Sequence, residues 1–474
     1  DLWNTVGAIC GSLAAGFVLI PALRYEGTVT VAAAASALLA LLASLLVEKR
    51  PLWVRLAAAP LALLGVLVLR PAMPAQLLQA SPLNIPRGGE IVHYDVGRSA
   101  SVVVLRMDGG LALRTNGLPE ALMDSPGMIA RFSGEFWMSS LAVITRPEVE
   151  DMLVVGYGGG VVLEGVPPSV RHVDVIELEP KVIEANAATR KYRKFDPLSD
   201  PRVNVITNDA RGALSLTDKL YDAIVSQPSH PWTAGASHLY TREFMQLARE
   251  HLTAQGVFVQ WMNVAFLDEA LLRSLTATLI DVFGQVRIYR PDPNTLVFVA
   301  SAGPLGVEAR LLDTGVPLSV HPMHYGRFGI NCPEDVVLAL AADEAGSAAL
   351  AAGAPLITDD TNRMATSTVY ELGRGLNADM AGRVLAPYDP LQRPDSPLLR
   401  DFGARLDFGH IARRLVFFRS IDPSALDRVQ RMAALLPRVP RVPRNTGAPS
   451  RSRPGVLLLR RSSGRTRNAH ARAA

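Results

Sequence analysis

From Asp151 the chain reads DMLVVGYGGGVVLEGVPPSVRHVDVIELEP: an apolar run, a glycine cluster, a helical stretch, and a second apolar run tipped by an acid. This stretch constrains the fold most, because each part has a job in holding a nucleoside. Glycines at 156, 158, 159 and 160 let the backbone turn sharply and approach a ligand closely. Glu177, about 20 residues further on, stands where ribose hydroxyls are accepted in such units. A glycine-rich turn alone carries little; the strand before it and the acid-tipped strand after it carry the reading. The order points to a nucleoside-type cofactor, and the competing reading is a tight turn in a structural α/β unit.

Strands and helices alternate from there onward. DMLVVG, VDVIELE, VNVIT, YDAIVSQ, GVFVQWM, VRIYR and TLVFVAS read as strands, with PKVIEANAATRKYR and LDEALLRSLTATLIDVF as helices between them. The alternation predicts an α/β fold with a mainly parallel sheet covered on both faces. The last two strands, closely spaced, predict an antiparallel edge hairpin. Residues 90–118 hold short alternating runs around Asp108-Gly109-Gly110, a small β-hairpin unit, and a helical stretch follows near 129–144. The expected boundaries are 90–150 for the β unit and its helix, 151–304 for the nucleoside-binding domain, and 305–437 for a C-terminal extension. Within the extension Leu356-Ile357-Thr358 reads as a short strand leading into Asp359 and Asp360, and periodicity fades beyond Gly375.

The N-terminal region is of another kind. A hydrophobic content of 49% is high for a soluble protein, and its excess is concentrated before residue 71. Residues 5–23 and 28–47 are two uncharged stretches, each long enough to cross a bilayer, with Arg24 and Glu26 between them. Gly7, Gly11, Ser12 and Gly16 put small residues at helical spacing, which suits close helix packing in a membrane. A third segment, 52–70, has an apolar stretch of only about 14 residues, so it either spans or lies in the interface. The alternative is three buried helices of a soluble domain. Residues 71–89 form a proline-punctuated linker. Lys49, Arg50 and Arg55 favour the cytoplasmic side for their loop. With the third segment lying flat, the domain that follows is cytoplasmic, and the protein is expected in the inner or plasma membrane. The chain starts at Asp1 and is expected to be a piece of a longer protein, with no cleavable signal peptide evident.

Cys10 and Cys332 lie far apart and support neither a disulfide framework nor a metal site; Cys10 is expected to pack inertly. From Arg438 to Ala474 there are ten arginines and no other charged side chain, which against a chain total of +4 leaves −6 for the remainder. The basic balance therefore belongs to a tail expected to be disordered, not to a nucleic-acid-binding core.

In open α/β sheets ligands bind at the carboxyl ends of the strands, and that rule collects the remaining candidates. Asp209 and Ala210 follow VNVIT, where a carboxylate can accept a hydrogen bond from an exocyclic amine; the competing role for Asp209 is N-capping of the next helix. After YDAIV comes Ser226-Gln227-Pro228-Ser229-His230-Pro231-Trp232, a proline-stiffened polar loop over the same crevice. Asp222 precedes its strand's end and reads as structural.

The motifs VVGYGGG, VIELEP, NDARGAL, YDAIVSQPSHPWTAGASHLYTREF and ITDDTNR together resemble the spermidine synthase family, across roughly residues 90–360. The apolar segments look like the end of its membrane-anchored branch. The resemblance implies N-terminal transmembrane helices, a small β unit and a Rossmann-like seven-stranded methyltransferase-type domain. It also implies decarboxylated S-adenosylmethionine as aminopropyl donor and a polyamine as acceptor. Gly156, Gly158 and Gly160 match the glycine loop, Glu177 the ribose acid, and Asp209 with Ala210 the adenine contact.

The catalytic loop departs from the family. Members read like YDVIIVDSTDP, with the first loop Asp as the base; Gln227 stands in that place here, and His230 stands for the second Asp. An alkyl ammonium of pKa about 10.4 is nearly all protonated at neutral pH and cannot attack carbon until a base takes its proton. Glutamine orients an amine but accepts no proton usefully. A histidine can serve as a base, since an ordinary imidazole titrates near 6.5, but it brings no negative charge. Gln227 and His230 are the candidate catalytic residues, His230 having the alternative of a bystander.

His321 and His324 share an HPMH spacing without an evident third ligand, so no metal is expected. Three functions compete: aminopropyl transfer, transfer from ordinary S-adenosylmethionine to another acceptor, and a non-catalytic nucleoside-binding domain that has lost its base. The expected partners are a small-molecule amine and membrane lipid, with a homo-oligomer possible.

Overall fold

The apolar runs read as strands lie side by side in one sheet of the computed structural model, which describes residues 2–46, 60, 64–65, 73–83, 88–128, 133–233, 235–371, 375–418 and 424–435. Most of the segment 52–70 and the whole arginine-rich tail 438–474 lie outside the described residues.

The large sheet has eight strands: β5 (Asp151–Val155), β6 (His172–Glu177), β7 (Val203–Thr207), β8 (Tyr221–Ser226), β9 (Leu252–Asn263), β10 (Gln285–Asp292), β11 (Thr295–Ser301) and β12 (Leu340–Ala342). Their order is β12-β10-β11-β9-β8-β5-β6-β7. β5 pairs in parallel with β6 and β8, and the chain runs outward from it in both directions, so the crevice at its carboxyl end is a topological switch point. β10 and β11 form the expected antiparallel edge hairpin. The seven expected strands are joined by an eighth, β12, three residues from the C-terminal extension that pair with β10.

Alternate residues of the buried strands feed two cores. Val154 and Val175 face one, with Trp137 and Leu141 of the helix Glu135–Thr145; Leu153 and Ile176 face the other, with Phe258 and Leu275. Continuous apolar runs are what a parallel sheet buried on both faces requires. The helix Glu269–Phe283 starts where Asp268 Oδ1 accepts from the Leu271 N–H at 2.7 Å and ends at Gly284 (φ +87°), so its bounds are set by its caps.

The small β unit is a four-stranded antiparallel meander: β1 (Glu90–Val96), β2 (Ser101–Met107), β3 (Gly110–Thr115) and β4 (Leu118–Asp124). Asn116 (φ +50°) and Gly117 (φ +79°) make the tight turn between β3 and β4, an Asn-Gly pair suited to two positive φ angles. Glu179 fastens this unit to the large sheet: its Oε2 accepts from the Ser99 N–H at 2.9 Å and the Ser99 hydroxyl at 2.7 Å. The contact is close enough that Gly97 has no room for a side chain against Glu179.

The apolar N-terminal region forms the helix Leu2–Ala14, a π-helical turn Ala15–Leu19 and the helical stretch Ile20–Leu46, broken at Arg24 in the gap between the two segments that the sequence predicts. Its stretch Leu2–Ala43 is long and apolar enough to cross a membrane, and among the described residues it is the only such helix. Arg24 breaks the helical geometry (φ 58°, ψ −175°), and its guanidinium pairs with Asp95 of β1 at 3.4 Å. The kink thus sits where the apolar run meets the β unit. Cys10, expected to pack inertly, is exposed on this helix.

The extension also differs from its reading. Residues 356–358 form no strand: the Ile357 N–H donates to Thr278 Oγ1 at 2.9 Å and its carbonyl accepts from the Arg242 N–H at 2.8 Å, which leaves no backbone group for pairing. Beyond Gly375, where periodicity fades, the helices Ala378–Leu385, Phe408–Phe418 and Ser424–Leu435 form, the last two packing in a third cluster around Leu398 and Ile411.

Candidate active site

Five of the six expected cofactor residues meet at one place. Gly156, Gly158, Glu177, Asp209 and Ala210 line a cavity of about 1080 Å³ at the carboxyl ends of β5, β6 and β7. Gly160 lines neither this cavity nor its neighbour; at φ +71° it turns the backbone into the short helix Val161–Glu164. Gly156 (φ +91°) is where the absence of a side chain matters most. A Cβ there would lie 2.6 Å from the Gln227 carbonyl oxygen, so the glycine loop and the polar loop pack backbone to backbone.

Glu177 holds the glycine loop from beneath. Its Oε2 accepts from the Tyr157 N–H at 3.0 Å and the Gly158 N–H at 3.3 Å, and its Oε1 from the Glu179 N–H at 3.0 Å. A carboxylate offers about four acceptor sites, so about one remains for a ligand hydroxyl. Burial pushes the Glu177 carboxyl above the usual carboxylate range, and the three N–H donors pull against it. Arg193 braces the same loop, donating to the Gly159 carbonyl and to Asn186 Oδ1, each at 2.7 Å. Asp209 does cap its helix, accepting from the Gly212 N–H at 2.9 Å, and it lines the cavity as well.

Beside the large cavity lies a smaller one of about 410 Å³, lined by Glu120, Glu135, Gln227, His230 and Trp261 among others. Gln227 and Glu120 border both, so the two spaces meet at these side chains. His230 is not a freely moving loop side chain. It is 4% exposed, its ring packs 5.1 Å from Trp232 and 5.0 Å from Phe266, and its Nδ1 has no hydrogen-bond partner.

Glu120 escaped the sequence reading. It sits on β4 of the small unit, and its Oε1 accepts from the Ser229 hydroxyl at 2.6 Å and from the Thr115 hydroxyl. Nothing local marks it; only the docking of the small sheet over the crevice brings it to the polar loop.

Other candidates resolve into structure. Asp359 makes a two-pronged ion pair with Arg211 (3.0 and 2.8 Å) and accepts from the Thr241 hydroxyl at 2.8 Å. Arg211 holds its carboxyl down to about 2, so it ties the extension to the sheet domain. Asp222 accepts from the backbone N–H groups of Glu150 and Asp151, each at 3.1 Å. His324 Nε2 bonds the Gly165 carbonyl at 3.1 Å, and burial lowers its pKa to about 4, so the ring stays neutral and tied to the backbone. Cys332 comes near Asp335 and His410, three groups that sequence spacing could not join. Arg414 Nε lies 3.1 Å from the same Asp335 carboxylate, and burial pushes the Cys332 thiol up to about 12, so the cluster reads as an ion-paired strut.

Residues 135–291 match the family described as the spermine/spermidine synthase domain. Polyamine aminopropyltransferase 2 of Pseudomonas aeruginosa is 30% identical over 153 residues, covering 31% of this chain and 44% of that protein. The polyamine aminopropyltransferase of Bacillus subtilis is 28% identical over 159 residues, covering 32% and 55%. The chain thus spans about half the length of these curated relatives. Among solved structures, a spermidine synthase in complex with the transition-state analogue AdoDATO is similar at 22% identity and a TM-score of 0.40, covering 45% of this chain and 74% of that one. Residues 135–291, about a third of the chain, thus carry the likeness to the spermine/spermidine synthase domain.

Proposed function

We propose that the chain transfers the aminopropyl group of decarboxylated S-adenosylmethionine to an amine of a polyamine. The observation that carries this reading is the charge of the large cavity. Its lining holds Glu120, Glu177, Glu179 and Asp209, and among the described residues no Lys, Arg or His. Such a lining suits a donor bearing a sulfonium and an ammonium but no carboxylate. Ordinary S-adenosylmethionine would place a carboxylate in an acidic, partly desolvated space without a cation, which is unfavourable.

The residues present fit such a donor. Gly156 and Gly158 leave backbone open to it, Glu177 keeps an acceptor for a ribose hydroxyl, and Asp209 with Ala210 meets an adenine edge. The bound donor supplies an electrophilic carbon next to its sulfonium. The protein's part is to hold an amine against that carbon, strip its proton and keep bulk water out. Gln227, bordering both cavities, orients the amine; Trp261 and the buried His230 wall the smaller one.

Calorimetric titration of the full chain with each donor tests the reading. The decarboxylated form should bind at least tenfold more tightly, about 1.4 kcal/mol. Equal or reversed affinities would count against it. They would favour a transferase using the carboxylated donor on another acceptor, a reading that Gln227 favours by removing the expected base.

We further read Leu2–Ala43 as a membrane anchor, supported by the exposure of Trp3, Phe17 and Leu39 along it. The full chain should stay with membranes through an alkaline carbonate wash. Its release into the soluble fraction would rule the anchor out.

A further inference from the structure

Aminopropyl transfer needs a group that attracts an ammonium and then takes its proton, and the loop Ser226 to Trp232 contains no acid. We propose that Glu120, carried over the crevice by β4 of the small sheet, is that group, and that it binds the acceptor amine where the two cavities meet.

Four observations support this assignment, which rests on the aminopropyl-transfer reading. First, Glu120 borders both cavities, the position an amine must occupy to reach the donor's carbon. Second, its carboxylate is buried, with the side chain 13% exposed, and no Lys or Arg pairs with it among the described residues. A largely buried carboxylate is costly without a cation, so a site that offers it only a histidine at 3.8 Å suits a cation supplied by the ligand. Third, its bonded neighbours are hydroxyls: Ser229 and Thr115 both donate to Oε1, while Oε2 has no hydrogen bond among the described residues. Two donors fix the carboxylate's position and leave the other oxygen for the amine. Fourth, His230 Nδ1, buried and without a hydrogen bond, lies 3.8 Å from Glu120 Oε1. An imidazole held that close by Trp232 and Phe266 serves as a positioning group for the carboxylate.

The step balances. The acceptor enters as an ammonium and passes one proton to Glu120. The freed nitrogen lone pair forms a bond to the methylene carbon next to the sulfonium. The carbon–sulfur bond breaks, its electron pair neutralises the sulfur, and 5′-methylthioadenosine leaves. The new secondary amine keeps its positive charge, and the proton on Glu120 passes to water.

The test compares the full chain with Glu120→Gln and Glu120→Asp in two measurements. One is elongation of putrescine and of spermidine with the decarboxylated donor. The other is calorimetric binding of each amine in the presence of 5′-methylthioadenosine. Glu120→Gln should lower kcat/KM at least a hundredfold and weaken amine binding at least tenfold, with the melting temperature and the affinity for 5′-methylthioadenosine unchanged. Glu120→Asp, which restores the charge one methylene back, should recover at least a tenth of the lost rate. Unchanged turnover and amine affinity in Glu120→Gln would overturn the assignment and leave the transfer reading standing. A full chain that binds amine through Glu120 but elongates none would overturn the transfer reading and the proton-transfer role together. A full chain that neither binds nor elongates either amine would overturn both proposals.

Discussion

Replacing Glu177 by alanine is expected to weaken nucleoside binding at least tenfold, about 1.4 kcal/mol, with 5′-methylthioadenosine as the ligand titrated. The effect has two sources. A ribose hydroxyl loses its acceptor, and the loop that shapes the cavity loses its support. Three backbone N–H groups, those of Tyr157, Gly158 and Glu179, end on this one carboxylate. A buried N–H left unsatisfied costs about 1–3 kcal/mol, so the loop relaxes away from the conformation that receives a ligand. Binding should also weaken with acid sooner than for an ordinary Glu. Burial raises this carboxyl, and the ionised form proposed to accept a ribose hydroxyl disappears as the pH falls through the raised value. A folded Glu177→Ala chain with unaltered affinity would remove Glu177 from the site.

Gly156→Ala should be strongly damaging to both stability and activity. At φ +91° an alanine is strained, and its Cβ would lie 2.6 Å from the Gln227 carbonyl oxygen. Backbone strain of about 1–3 kcal/mol and overpacking of similar size add to an expected loss of about 2–6 kcal/mol. Relief of the clash requires the polar loop to move, so transfer activity should fall at least a hundredfold. Gly284→Ala separates the two causes. Gly284 has φ +87° and nothing within 4 Å of a Cβ, so it carries the strain without the clash and lies outside the site. Denaturant unfolding of both variants reads the difference. Equal losses would mean that the contact between the glycine loop and the Gln227 loop is unimportant.

The residues legible from the sequence were those whose position follows from a strand end. Glu177 and Asp209 end β6 and follow β7, and in a parallel sheet the carboxyl ends of adjacent strands converge, so order along the chain sufficed to bring them together. What the sequence did not reveal depends on contacts between distant segments. Glu120 reads as one polar residue on a half-exposed strand, and it becomes a site residue only because Glu179 pins the small sheet across the crevice. His230 reads as a loop histidine, yet Phe266, 36 residues on, helps to bury it. Ile357 has the apolar look of a strand, but Thr278 and Arg242 take its backbone bonds first. β12 is too short to leave a periodic trace, and it exists because β10 offers it an edge. The break at Arg24 coincides with the charged gap between the two apolar segments, so hydropathy alone marked where the helix is interrupted.

On the proposed reading, this acidic pair of cavities joins a decarboxylated donor to a polyamine. The most direct test is to incubate the purified full chain in lipid bilayer discs with decarboxylated S-adenosylmethionine and putrescine or spermidine, and to measure both products. The account predicts one 5′-methylthioadenosine for each polyamine lengthened by an aminopropyl group, and none when ordinary S-adenosylmethionine replaces the decarboxylated donor. Absence of the lengthened polyamine with the decarboxylated donor, in a chain that binds it, would contradict the account.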